Sequence, residues 1–195
     1  MIDTMHLVCL QETGHVLAAL AAETSGDPPA LEAVVGDQLH LASARSTEDG
    51  TAGLAAATTL VPVSLLELKS APFDRRVLAN PLHHAMDGGR VVQLPPLLTP
   101  AAPSLNDELT LTLNGGTLDT RGFSVVARAG DPADQLRVQS GKFIDADGNG
   151  TADPLVLPLT IMPGDTPAAI EAPGDYDIFV ALEGMRPYWA SDALP

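Results

Sequence analysis

The sequence predicts a mostly β protein made of two small β-rich domains. The C-terminal one is expected to be an immunoglobulin-like antiparallel sandwich, and one short helix is expected in the N-terminal half. Three observations carry that expectation. Short apolar stretches, β-branched or alternating, recur along the 195 residues. Gly, Pro, Asn or Asp bounds most of them, as turn chemistry requires. A proline-rich stretch, Leu94 to Pro103, divides the chain near its middle. Four prolines in nine residues there stiffen the backbone and deny it regular hydrogen bonding. The expected layout is a β-rich domain over 1–94, a linker over 95–104, and a β-sandwich with a tail over 105–195.

In the first half, Met5 to Leu10 is an apolar run, Glu12-Thr13-Gly14-His15 reads as a turn, and Val16 to Leu20 is apolar again. That is a hairpin signal with Gly in its loop, although the alanines at 18–22 leave a helix open. Asp27-Pro28-Pro29-Ala30 reads as a helix start, with Asp as cap and Pro in the first position, and Gly36 as its stop. Gln38 to Ala42 alternates as a half-buried strand does. Thr58 to Leu68 is apolar, and Pro62 places it at an edge or ends a strand. Arg76 to Ala79 and Arg90 to Leu94 read as short strands, with Asp87-Gly88-Gly89 as the turn before the second.

The second half alternates more plainly. Glu108 to Asn114 puts Leu109, Leu111 and Leu113 on one face. Further strands are expected at Phe123 to Ala127, Gln135 to Val138, Lys142 to Ile144, Leu155 to Met162 and Tyr176 to Leu182, a spacing that suits a sandwich. Met185 to Ala190 gathers Tyr188 and Trp189 beyond the last expected strand. No repeat of solenoid or propeller type is visible.

The balance of 25 acidic against 10 basic residues gives a net charge of −15. Such a surface repels phosphate backbones and anionic lipid, which argues against nucleic acid and membrane-surface binding. Membrane insertion is not expected either, since the longest uncharged stretch, Gly50 to Leu66, is shorter than a membrane span and carries Pro62. Cys9 is the only cysteine, so neither an internal disulfide nor a thiolate-rich zinc site is available. No basic leader followed by an apolar core opens the sequence. The expected location is the cytoplasm, or an export route that the residues do not reveal.

The strongest chemical signal is Asp145-Ala146-Asp147-Gly148-Asn149-Gly150-Thr151-Ala152-Asp153. Calcium needs six to eight hard oxygen ligands on a sharply turning backbone. Asp145, Asp147 and Asn149 fall at alternate positions, Gly150 allows the bend, Thr151 offers a carbonyl and Asp153 a further carboxylate. The segment resembles the calcium loops of EF-hands, dockerins and thrombospondin type-3 repeats. It departs from the EF-hand pattern at the twelfth position, Val156, where a bidentate Glu would stand. A calcium ion there would need ligands from elsewhere, with Asp165 and Asp175 as candidates. The same residues also suit a solvated hairpin turn.

Other constellations are weaker. His83, His84 and Asp87 are metal-ligand types, but adjacent strand residues face opposite ways. His6 and Cys9, three apart on a strand, are separated for the same reason. Asp74-Arg75-Arg76 reads as a solvated turn. No nucleophile elbow, zinc-protease motif or phosphate loop is present. The expected function is therefore non-catalytic: a structural or interaction subunit that packs against other protein subunits or its own copies, in a filament, appendage or tail-like assembly. The alternative is a calcium-supported carbohydrate- or ligand-binding module, with Tyr188 and Trp189 as the platform.

Overall fold

The computed structural model describes residues 2–23, 28–44, 56–95, 104–105, 109–111, 122–129, 136–142, 148, 155–157 and 174–194. The chain is mostly β, as expected. In order, the first half contains β1 (Ile2–Leu10), β2 (Val16–Glu23), α1 (Leu31–Val35), β3 (Gln38–Ala44), β4 (Ala56–Pro62), β5 (Leu66–Pro72), α2 (Arg75–Ala79), β6 (His84–Asp87) and β7 (Arg90–Gln93). The second contains β8 (Ser104–Leu105), β9 (Leu109–Leu111), β10 (Gly122–Ala129), β11 (Leu136–Lys142), β12 (Leu155–Leu157), β13 (Gly174–Leu182) and β14 (Tyr188–Leu194). They form antiparallel sheets in the orders β2-β1-β5, β3-β4, β6-β7, β12-β9-β8 and β11-β10-β13-β14.

Strand β1 is apolar from Leu7 to Leu10 because both of its faces are covered. Met5, Leu7 and Cys9 join Val16, Ala71 and Val77 on one side. Val8 and Leu10 enter the larger cluster on the other. A bulge in β2 keeps its partner strand in phase. Val8 pairs with Ala18 and Cys9 with Val16, so Leu17 is the extra residue. Because of that extra residue, Leu17 and Ala18 both reach the larger cluster, while Val16 and Ala19 on either side serve the smaller one. Strict alternation would have sent Val16 and Ala18 to the same face.

The larger cluster draws on both sides of the 95–104 segment. Val8, Leu10, Leu17, Leu41, Val61, Leu65 and Leu66 meet Val126, Val138, Phe179 and Ala181. In the C-terminal sheet, Val126 lies opposite Val138 and Phe179, and Phe179 lies opposite Trp189. The two rings sit 5.0 Å apart at 57°, a tilted contact worth roughly 0.5–1.5 kcal/mol beyond burial. Ile178, Val180 and Leu182 are buried as well, so β13, like β1, is covered on both faces.

The elements differ from expectation in three places. Residues 75–79 are a helix, since the Asp74 carboxylate caps it by accepting from the Arg76 amide at 2.8 Å, and Val77 is buried beneath it. Helix α1 begins at Leu31 with Ala30 at the cap position, later than the Asp-Pro-Pro signal, and ends at Gly36 as expected. The alanine-rich segment is the second strand of the expected hairpin, because β1 hydrogen-bonds along its length. The aromatic tail is β14, paired to β13 from Val180↔Tyr188 onward, because Trp189 finds Phe179 across the ladder. Pro62 ends β4, as its missing N–H demands.

Phe179→Ala should cost about 3–5 kcal/mol of stability. Because Val8 and Leu10 share its cluster, amide exchange should accelerate in β1 as well as in β13. Unchanged exchange in β1 would show the two halves to be energetically independent.

Candidate functional site

The best-defined polar constellation lies at the turn between β1 and β2. The Gly14 amide donates to Leu10 O and the Leu10 amide to His15 O, each at 2.9 Å, which closes the turn. Gly14 has φ of +69°, and a Cβ there would stand 2.4 Å from Met86 O. Only glycine tolerates both conditions. Its carbonyl accepts from the Met86 amide at 2.8 Å, and His15 bridges to Ala85, so the β6–β7 hairpin is docked on the turn. Gln11 secures β5 from the same turn, its amide donating to Leu65 O at 3.0 Å and its side chain to Leu66 O at 2.8 Å.

The C-terminal half closes on this turn too. Gly122 donates to the Glu183 carboxylate at 2.7 Å, and a Cβ on Gly122 would meet Glu12 O at 2.9 Å. The His15 ring, fully buried, bonds Met185 O through Nε2 at 2.6 Å and Thr13 Oγ1 through Nδ1 at 2.8 Å. A carbonyl can only accept, so Nε2 carries the proton. Nδ1 of the neutral ring then accepts from the buried Thr13 hydroxyl. Burial pushes the imidazole down to about 4, a fall that the Met185 carbonyl and the Glu183 charge only partly oppose.

Chemically, this arrangement holds rather than reacts. With both nitrogens engaged by the protein, His15 has no lone pair to offer a metal or a substrate. Cys9 is equally inert. Burial, then the neighbouring Glu67 charge, raise its thiol to about 12, far from the thiolate that nucleophilic chemistry needs. His6 lies against Ser70, ring nitrogen to Oγ 3.2 Å, on the face opposite Cys9, as their spacing requires. Trp189 donates its indole N–H to buried Thr59 at 3.1 Å.

The calcium-loop residues Asp145, Asp147, Asn149, Thr151 and Asp153 lie outside the described residues. Only Gly148 between them is described, exposed and at φ +71°, a turn conformation. His84 Nδ1 donates to Asn80 O at 2.9 Å, and Asp87 stands at the hairpin tip opposite Arg90. Among the described residues no cluster of three or more His, Cys, Asp or Glu could hold a metal ion. Nor, among them, is any helix long and apolar enough to cross a membrane. The sequence reading placed His15 in a turn but missed its burial. Its one local signal was a histidine between a turn glycine and an apolar run.

Comparison with protein-family models, with curated proteins and with solved structures returned no match.

The depressed imidazole makes stability depend on pH in a defined window. The unfolded chain protonates His15 near its ordinary value of 6.5 and the folded chain only near 4. The stabilisation is thus complete above 6.5 and is lost as pH falls toward 4, by about 3 kcal/mol in all. Carboxylates add their own dependence at the acid end, so the difference between wild type and His15→Gln isolates the histidine. Urea unfolding across that window should give a shallower pH slope in the variant. Parallel curves would mean that His15 is not buried neutral.

Proposed function

We propose that this chain is a non-catalytic interaction subunit that joins other protein subunits, its own copies included, by strand addition in a filament, appendage or tail-like assembly. One observation carries the reading. The Phe73 amide donates to Asp3 O and the Gln11 amide to Leu65 O, each at 3.0 Å. Odd-numbered residues of the Leu65–Phe73 segment therefore turn their backbone groups toward β1, and even-numbered ones turn them outward. Strand β5 is an edge of its sheet. Among the described residues, no backbone partner takes the amide of Leu68 or Ser70. Such a row is a template for a partner's strand.

The surroundings agree with that use. Lys69 pairs with Glu67 on its own strand at 2.8 Å, a charged guard of the kind that restricts an edge to chosen partners. In this reading the β11-β10-β13-β14 sheet and the β12-β9-β8 sheet form an immunoglobulin-like sandwich. The 145–153 loop binds calcium and stiffens its end. The carbohydrate reading is less favoured, since Trp189 is committed to Phe179 and Thr59.

Ser70→Pro removes one outward N–H and leaves the β1 ladder intact. The variant should fold normally and lose concentration-dependent association in sedimentation velocity, or partner capture in pull-down. A wild-type chain that stays monomeric and captures no partner would overturn the assembly reading.

Titration calorimetry tests the loop separately. Saturable calcium binding that disappears in Asp147→Ala is the expected result. No binding at millimolar calcium would reduce 145–153 to an acidic turn.

A further inference from the structure

The chain's negative charge is unevenly spread. Residues 75–95 hold Arg75, Arg76, Arg90, His83 and His84 against a single acid, Asp87. The fold adds Arg186 from the far end of the sequence. The Leu94 amide donates to His83 O at 2.8 Å, and Leu94 O accepts from Arg186 Nε at 3.1 Å. The Arg186 amide donates to Pro95 O at 3.2 Å. Buried Leu94 thus ties the His83 backbone and the Arg186 guanidinium to one spot, and His84 follows in the chain, paired with Gln93.

These groups are under-used by the protein. Arg186 commits only Nε, and among the described residues no carboxylate pairs with its guanidinium. His84 is 8% exposed and engages Nδ1 with Asn80 O, while its Nε2 has no protein partner among the described residues. The nearby acids are occupied elsewhere. Glu183 holds the Gly122 amide, Asp74 caps α2, and Asp87 sits at the hairpin tip opposite Arg90. Accordingly the His83 imidazole is pushed down by burial first, then by the Arg186 and His84 charges, with no acid opposing them. Cations gathered without a counter-charge are costly, and an anion relieves that cost.

We propose that His83, His84 and Arg186 form a binding site for a phosphate-type oxyanion. With Nε taken by Leu94, the Nη donors of Arg186 suit two oxygens at once. The imidazoles add N–H donors once protonated, and the bound dianion favours that protonation. The net charge of −15 does not forbid the site, because salt screens distant carboxylates beyond about 8 Å under physiological conditions. The site is independent of the strand-addition reading and stands or falls without it.

Inorganic phosphate is the probe, titrated at constant ionic strength into the full chain while the histidine ring signals are followed by NMR. Saturable shifts of the His83 and His84 ring signals are expected. The charged groups that act on the His83 ring are Arg186 and His84. Arg186→Gln should weaken binding about tenfold or more, and Arg90→Gln should leave it unchanged. Since Arg186 also holds Leu94, the partly exposed His83→Asn provides a second variant that spares the fold, and it too should weaken binding. Glycerol phosphate, run in parallel, distinguishes a free ion from an esterified phosphate, and saturation by either supports the site. No saturation, an equal response to chloride, or undiminished binding in both variants would overturn it.

Discussion

Everything in this fold leans on one five-residue turn, Gln11 to His15. Its backbone and side chains hold β5, the β6–β7 hairpin and the C-terminal sheet at once. The reason is geometric. A tight turn exposes several carbonyls and amides within a few ångströms, and burying it obliges each to find a partner. Here the partners come from three different sheets. Glycine at 14 is what lets the Met86 carbonyl approach, and the histidine at 15 fills the remaining space with a polar group satisfied on both nitrogens.

Around that turn the layers follow from β1 and β13. A strand covered on both faces gives up alternation for continuous apolarity. Both strands read that way, and each sits inside its sheet, β1 between β2 and β5 and β13 between β10 and β14. The bulge at Leu17 reconciles the two faces of the first sheet. The cluster that includes Val8 and Phe179 then joins the halves of the chain through aliphatic packing, with Trp189 as the largest side chain against it. For a chain with 4% aromatic residues, the placement of one Phe–Trp pair at this junction concentrates much of the available aromatic surface where the halves meet.

Charge is arranged on a different plan from packing. The acidic excess is a property of the whole sequence, whereas His83 and Arg186 are brought together through Leu94. In the sequence Asp74-Arg75-Arg76 reads as a turn. Folding makes the two arginines the start of a helix that Asp74 caps, and it ties Arg186, from the turn before β14, to Leu94.

Local chemistry by itself determined a good deal. The hairpin over 5–20, the strand end at Pro62, the helix stop at Gly36, the turn at Asp87-Gly88-Gly89 and the strands over 123–127 and 176–182 follow from apolar patterning and turn residues. These are interactions within a few positions of the chain. Long-range pairing decided the rest. Residues 75–79 became a helix because Asp74 capped it and a core received Val77. The aromatic tail became β14 because Phe179 was there to meet Trp189. His15 became a buried, neutral anchor because Met185, 170 positions away, supplied the carbonyl. Desolvation, shared hydrogen bonds and field strength depend on distance in space, and distance in space is what a sequence read along its length does not contain.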